Sequence, residues 1–551
     1  MNLKFLKKHK YFFLIILFSL VPLSSIFVTE NLIHTHDGLV QLPRLAAYFK
    51  ALSDGHFPVR WAGYLNYGYG LPLFNFIYHV PYLAGSAFLV IGFSLVNSFK
   101  LSLALGFILS GVFMYLFGKR FFGDARKGFL IAIAYQFMPF HLVEVLTRGS
   151  FGSIYAYAFL PLTLYALYGL IKKSSFKNFF LTAVSVFLLV YSHNSLSLSF
   201  FGAIFLFALF FAKGKTEYFR AFSALIYGLI LSAFYWMPAL LEHKYTYGDL
   251  LMRNLYKDHF APLSDFLIPN IINNPSAFFE GVNLSIGLFH LLAVVIAIAL
   301  LFAGKMTEKQ DRKLSYYALS LILIGFFFMT SISRFIWDLN ISSFLRQFQF
   351  PWRFLSLTVF ATSILFVGFL YYPKFKQKYS YAGLIFFIVL ITVFMWKPTE
   401  GYDKIDEKYY WNFPLNTTYY GETDVIWSAG PAKDYPKKRI EIIGGDGEIA
   451  DLIVKNHYQK FEVSSEESLG IVSHVQYFPG WRVYVDGNQV PIEFQDPNNR
   501  GEITFNTSKG VHNVLIKFEE SALRFIADVI SLAGFILFIP LFYVYKKMFK
   551  E

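Results

Sequence analysis

Apolar windows of about twenty residues recur along most of this chain, the length an α-helix needs at 1.5 Å per residue to cross about 30 Å of hydrocarbon. Twelve fall roughly at 11–29, 99–118, 128–143, 153–171, 178–193, 196–212, 221–240, 284–303, 314–331, 354–372, 380–396 and 521–545. The first follows MNLKFLKKHK and has the n-region and h-region of a signal peptide; its length and the spans behind it mark it as a retained anchor. One further apolar run, Leu71 to Val96, carries Pro72, Asn75, His79 and Pro81. Counting it as a span would turn every later loop inside out, so it is predicted to be a re-entrant or surface-lying helix.

Ahead of that run the period shortens. Leu39, Leu42, Leu45, Ala46, Phe49 and Leu52 recur at three and four residues with Arg44, Lys50 and Asp54 interspersed, which predicts a short amphipathic helix lying in the interface. Pro43 suits a first turn, so the helix is expected to begin near Leu42 and to leave Asp37 in the turn before it. From Lys397 to Glu520 the pattern changes to short β-like runs such as KRIEIIG, ADLIVKN, WRVYVDG and VHNVLIKF, with Asp486-Gly487 as a hairpin signal. The predicted fold class is a polytopic α-helical membrane protein of about 12 transmembrane helices with a C-terminal extracytoplasmic β-sandwich-like domain. Residues 1–396 would form the transmembrane domain, with a re-entrant or interfacial first outer loop at 30–98. Residues 397–520 would form the β-rich domain, and 521–551 a final transmembrane helix with a basic cytoplasmic tail.

Composition supports this reading. The chain is 56% apolar, 20% aromatic and only 15% charged, which excludes an ordinary soluble protein. It has no cysteine, so disulfides, thiolate metal sites and thiol nucleophiles are excluded. A net charge of +13 raises the question of nucleic acid, and its distribution answers it. With the twelve spans above, one face collects 24 basic residues against five acids, a net of +19, and leaves −6 on the other. They include Lys4, Lys7, Lys8 and Lys10 at the start, Lys546, Lys547 and Lys550 at the end, and the alternate loops between. That is the positive-inside signature. It predicts a multi-pass plasma-membrane protein with both termini cytoplasmic, the lipid bilayer as its surroundings and no nucleic-acid partner.

The outer face gathers the candidate chemistry. The segment from His34 to Asn75 places Asp37, His34, His36, Tyr64, Asn66, Tyr67 and Tyr69 at the membrane surface. Later outer ends bring Glu144 and Arg148, then His193 and Asn194, then Glu242, then Arg346, Gln349 and Arg353. The last three follow helical spacing, so they would share a face if the segment were helical, although Pro351 works against it.

The stretches HDGLVQLPRLAAYFKALSDGHFPVRWAGYLNYGYGLPLFNF, RGSFGSIYAYAFLPLTLYAL, SHNS and QFQFPWRF together resemble the bacterial and archaeal membrane family labelled 6-pyruvoyl-tetrahydropterin synthase-related domain. YFPGWRVYVDGNQVPI resembles the outer C-terminal domain of large bacterial membrane proteins proposed to glycosylate cell-surface polymers. Together they look like the GT-C glycosyltransferase superfamily. The resemblance implies a GT-C-like transmembrane domain, a polyprenyl-phosphate-linked sugar donor, a glycan or lipid acceptor, and an acid in the first outer loop acting at the acceptor, a position that Asp37 matches. One departure is RGSFGS, with Ser153 where related sequences often carry an acid.

Such a transfer needs a base for the incoming hydroxyl and cations for the leaving phosphate. Asp37 is the candidate base; the alternative is a turn or helix-capping aspartate. His34 and His36 would orient it or, with it, bind a divalent cation, or serve as interfacial polar residues; no cofactor is expected. Arg148, Arg346 and Arg353 would hold the phosphate, or anchor lipid headgroups. His193 and Asn194 suit a binding site or a helix cap. Tyr64, Asn66 and Tyr67 suit sugar stacking and hydrogen bonding, or an interfacial aromatic belt. The alternative function is a transporter or flippase of lipid-linked sugars, or a non-catalytic cell-envelope assembly scaffold. Ionisable residues at span ends rather than mid-bilayer favour surface chemistry.

Overall fold

The computed structural model describes residues 9–271 and 279–549. Lys4, Lys7, Lys8, Lys550 and Glu551 of the charge distribution above lie outside the described residues, as does part of the long loop before Leu288. Among the described residues, eight helices are long and apolar enough to cross a membrane, and up to ten if each of two bent pairs is one span.

The bends sit where the chain supplies a reason. Ala125–Gln136 (α3 below) and Pro139–Leu146 (α4 below) meet at 53° around Phe137 and Met138, because Pro139 has no N–H to continue the first helix. Lys215–Leu231 and Ala233–Leu241 meet at 69° at Ser232, whose hydroxyl turns back to the Gly228 carbonyl at 3.0 Å. The windows expected at 178–193 and 284–303 are helices of 15 residues, Phe176–Val190 and Leu288–Phe302.

The segment 30–98, expected as the first outer loop, holds two helices, α1 (Gly38–Ser53) and α2 (Val80–Ile91). α1 starts four residues earlier than Pro43 suggested. Thr35 Oγ1 accepts the Gly38 N–H at 3.0 Å, and the Asp37 carbonyl accepts from Gln41 N at 2.9 Å, so the turn is closed well before the proline. α2 has 12 residues, about 18 Å of helix, and stops at left-handed Gly92. It is too short to span. α1 is not a surface-lying helix: Leu42, Leu45, Ala46, Tyr48 and Ala51 are buried with Tyr82, Phe99, Leu142, Leu146 and Phe151 in one core. α2 packs so closely on it that a Cβ at Gly85 would lie 2.7 Å from Leu45.

From the far side the chain returns to this loop. Strand β1 (Leu32–Ile33) pairs antiparallel with β2 (Tyr402–Asp403), and residues around Trp411 and Leu415 pack over α1. The β structure proper begins at Ile440. A five-stranded antiparallel sheet has the order β4 (Glu448–Lys455), β5 (Tyr458–Ser465), β10 (Gly510–Phe518), β7 (Trp481–Val485) and β8 (Asn488–Val490). A three-stranded one has the order β3 (Ile440–Gly444), β6 (Leu469–Gln476) and β9 (Glu502–Thr507). Inward residues of both, among them Phe461, Val463, Ile471, Ile503 and Ile516, share one core. The β7–β8 hairpin turns at Asp486 and Gly487, both at positive φ, as the Asp-Gly signal requires.

That core takes in Trp61 and Phe76 from the outer loop. Trp61 lies edge-on to Trp481 at 5.5 Å, and the Asn456 side chain accepts from Gly63 N at 2.8 Å while donating to the Trp61 carbonyl at 2.9 Å. The β-sheet region is thus keyed into the loop that carries Asp37.

Candidate active site

Two backbone hydrogen bonds set the site. His36 N donates to the Thr147 carbonyl at 3.1 Å and Asp37 N to the Arg148 carbonyl at 2.9 Å, so the turn before α1 is tied to the loop after α4 (Pro139–Leu146). Both glycines flanking this junction are needed: a Cβ at Gly38 would fall 2.6 Å, and one at left-handed Gly149 2.4 Å, from Thr35 Oγ1. Asp37 stands at the N-cap position of α1 without making the side-chain cap bond. Its carboxylate instead accepts the Tyr419 hydroxyl at 2.9 Å.

Two guanidinium groups are near enough to feel the charge of Asp37, Arg148 and Arg353. Arg148 is buried, ion-paired with Glu144 one helical turn before it, and stacked over Trp352 at 5.0 Å. The second oxygen of Glu144 has no donor among the described residues. Arg353 lies over Phe350 at 4.7 Å and donates to the Phe348 carbonyl at 2.9 Å. Burial first, and then the Asp37 carboxylate, raise the Tyr419 phenol above its ordinary value, so it stays protonated and donates. A carboxylate that accepts from a hydroxyl, with fixed positive charge beside it, can take a proton from an alcohol while the arginines hold an anion.

The other expected residues divide. His193 caps helix α5 (Asn194–Phe211) through Leu196 N, stacks on Tyr78 at 5.5 Å and feels both Arg148 and Arg353, so it borders the cluster. Asn194 receives the Tyr235 hydroxyl and donates to the Phe76 carbonyl at 2.5 Å, a structural pairing. The His36 side chain is exposed beside Arg148. His34 is engaged elsewhere, with Glu400 at 2.8 Å and Asp403 at 3.0 Å, and Asp403 above all raises its imidazole pKa. Tyr64 donates to Asp54, Asn66 accepts from Ala432 N at 2.9 Å, and Tyr67 meets Tyr435 edge-on at 5.2 Å. These three lie on the seam with the C-terminal region and are not brought to Asp37.

Arg346, Gln349 and Arg353 do not share a helix face. The 3₁₀ turn Asn340–Phe348 ends at Gln349, whose φ is +63°, and Pro351 starts a new turn, Pro351–Phe354. Arg346 closes its own loop on the Asp338 carbonyl at 3.1 Å, and Gln349 reaches the Met252 sulfur at 3.1 Å. Buried Ser153 pairs with Ser150 at 2.7 Å where an acid had been expected. Among the described residues no group of three histidine, aspartate or glutamate side chains is placed to hold a metal ion.

Sequence reasoning missed Arg44, Tyr78 and Tyr419. Asp37, Gln41 and Arg44 are spaced i, i+4, i+7 and so share one face of α1, a signal the sequence does contain. Gln41 donates to the Tyr78 hydroxyl at 3.1 Å and receives that of Tyr82, while Arg44 lies over the Tyr419 ring at 5.4 Å. Nothing local marks Tyr419, which is 382 positions from Asp37.

Fold and site define a many-helix membrane protein with a C-terminal β-sheet region keyed into the segment 30–98 that carries Asp37. Residues 74–399 match the 6-pyruvoyl-tetrahydropterin synthase related domain of membrane proteins, more than half of the chain, and the protein belongs to that family. A comparison with curated proteins finds no match. Similar solved structures include single-particle cryo-EM structures of the arabinofuranosyltransferase AftD from Mycobacteria. One has a TM-score of 0.42 at 13% identity, over 72% of this chain and 28% of that one. A mutant form of it has a TM-score of 0.41 at 14% identity, over 70% and 27%. This chain spans little more than a quarter of that protein's length, and nothing of its chemistry is carried over from the likeness.

Proposed function

We propose that this protein is a membrane glycosyltransferase of GT-C type, moving a sugar from a polyprenyl-phosphate donor to an extracytoplasmic glycan, lipid or polymer acceptor. In this reading twelve spans carry residues 1–396 and 521–551 through the plasma membrane with both termini cytoplasmic. The Asp37 cluster and residues 397–520 then face outward, as the distribution of basic residues favours. Asp37 takes the proton of the acceptor hydroxyl as its oxygen bonds to the anomeric carbon. The bond from that carbon to the phosphate oxygen breaks, and its electron pair leaves with the polyprenyl phosphate, held by Arg148 and Arg353.

The observation that carries this reading is the Tyr419 hydroxyl 2.9 Å from the Asp37 carboxylate, a hydroxyl seated where an acceptor hydroxyl would be deprotonated, with Arg148 and Arg353 alongside. The test supplies purified protein with radiolabelled polyprenyl-phosphate sugars and a cell-envelope glycan fraction. Asp37→Asn is expected to lower transfer at least about a hundredfold, the scale of general-base catalysis. Undiminished turnover in that variant removes Asp37 from the mechanism, and movement of the lipid across vesicles without transfer makes the protein a flippase.

A further inference from the structure

Arg44 is the unexplained charge of the outer loop. It is 4% exposed, and its Nε and Nη2 atoms meet no acceptor among the described residues. The guanidinium carbon lies 5.4 Å from the Tyr419 ring centroid, a cation–π contact that gives Nε and Nη2 no acceptor. Burying such donors costs free energy unless something accepts from them. The two atoms without acceptors are informative as a pair: Nε and Nη2 present parallel N–H bonds off one edge of the guanidinium plane, the arrangement that grips two oxygens of one phosphate or carboxylate.

The surroundings are built rather than incidental. Gln41, one turn earlier on α1, is held by Tyr78 and Tyr82, and those rings stack on each other at 5.7 Å. Tyr78 stacks in turn on His193. Tyr419, which contacts the same guanidinium, is 47% exposed. One ring spans from the Asp37 carboxylate to the Arg44 guanidinium. Its loop is braced by Thr417 on Asp424 at 3.0 Å and by Tyr420 N on Glu422 at 3.0 Å, and tied down on either side where the Leu415 carbonyl accepts from Asn66 N at 2.7 Å and the Asp424 carbonyl from Tyr247 N at 3.0 Å, so it is the Tyr419 side chain rather than the loop that would have to move.

We propose that Arg44 is the floor of an anion-binding subsite beside Asp37, walled by Tyr78 and Tyr82 and stoppered by Tyr419, that takes a phosphate group of the substrate through its Nε and Nη2 edge. The inference rests on the glycosyl-transfer reading only for which phosphate this is; the anion site itself stands on Arg44. The ring of Tyr419 leaves when the phosphate arrives, so stopper and ligand compete.

The test uses the full chain in phosphatidylcholine nanodiscs, with geranylgeranyl phosphate and inorganic phosphate as probes and tryptophan fluorescence as readout. Arg44→Gln is expected to weaken geranylgeranyl phosphate binding at least tenfold, and Arg44→Lys, which keeps the charge but not the fork, to recover part of it. Tyr419→Ala is expected to tighten binding several-fold. Inorganic phosphate competing with the lipid assigns the site to phosphate chemistry alone; lipid binding that it does not displace assigns it to a lipid headgroup. Wild-type binding in a folded Arg44→Gln protein overturns the proposal. If that variant does not fold, unaltered binding in Tyr419→Ala overturns it instead. Asp37→Asn separates the two readings. Binding kept with transfer lost supports both, whereas no transfer by the wild type, with binding lost in Arg44→Gln, removes the functional reading and leaves the anion site.

Discussion

Two sets of buried arginines lie at the candidate site and at the joint beside it, and they are treated in opposite ways. Arg60 and Arg524, 3% and 0% exposed, sit where the outer loop, the β-sheet region and the last helix α6 (Ala522–Phe549) meet. Arg60 reaches Glu520 at 3.0 Å and Asp528 at 2.5 Å, and Arg524 reaches Glu242 at 3.3 Å, itself held by Asn75 at 2.9 Å and Ser521 at 2.7 Å. Each of these guanidiniums has a carboxylate. Arg44 has none within ion-pair distance among the described residues, and Arg353 shares its field with a second arginine, Arg148. A paired buried charge fixes geometry, whereas an unpaired one is a standing cost that folding alone does not explain. The contrast separates a joint from a site.

The largest way to break that contrast is Arg60→Met. It leaves Asp528 without its cation and Glu520 with only Arg524 at 3.6 Å, and is expected to cost about 3 kcal/mol, read as a lower thermal midpoint of the purified protein. Arg44→Met in the same assay is expected to leave the midpoint unchanged or raise it, because it removes an ion that has no counter-ion. Equal losses in the two variants would mean that Arg44 is structural.

A second, smaller effect concerns the seam at Gly63. A Cβ there would lie 2.4 Å from the Asn456 carbonyl oxygen, so Gly63→Ala is expected to cost about 1–3 kcal/mol through overpacking. Faster proteolytic release of the β-sheet region, with the helices intact, is the measurement. No change in cleavage would show that the seam yields.

The smallest is a pH effect. His56 and His457 stack at 5.0 Å on this seam. Burial, then the neighbouring His457 and Arg60, hold the His56 imidazole well below its ordinary value, and burial lowers His457 as well. Their folded pKa values are depressed, so the stability they contribute is present above pH 6.5 and is lost as pH falls through the folded values. Resistance of the seam to protease is expected to decline from pH 7 to pH 5 and to become pH-independent in His56→Gln/His457→Gln.

What the sequence makes legible follows from how local each cause is. Apolar windows and the Asp-Gly hairpin are written in neighbouring residues, and they reappear as helices and as the β7–β8 turn. The prolines of Leu71–Val96 and the loop charge argue against a span there, and α2, with 12 residues, is too short to cross. Arg44 was read as one of the polar residues of an interfacial helix, because nothing nearby tells that Trp411 and Leu415 roof that helix. Local sequence offers His34 as a partner of Asp37 or an interfacial polar residue, while its acids arrive with residues 400 and 403 through the β1–β2 pairing. Arg346 and Arg353 have helical spacing, but a single left-handed residue, Gln349, sends them apart. Long-range closure, rather than weak local preference, hid these placements.

The joint at Arg60 bears on how the protein is made. Its two carboxylate partners are residues 520 and 528, near the end of the chain. Until the ribosome has delivered them, the first outer loop carries a cation with no counterpart and an indole, Trp61, with no sheet to enter. Biogenesis is therefore completed from the far end, and a nascent chain cut short before α6 would leave the segment around Arg60 without its clasp.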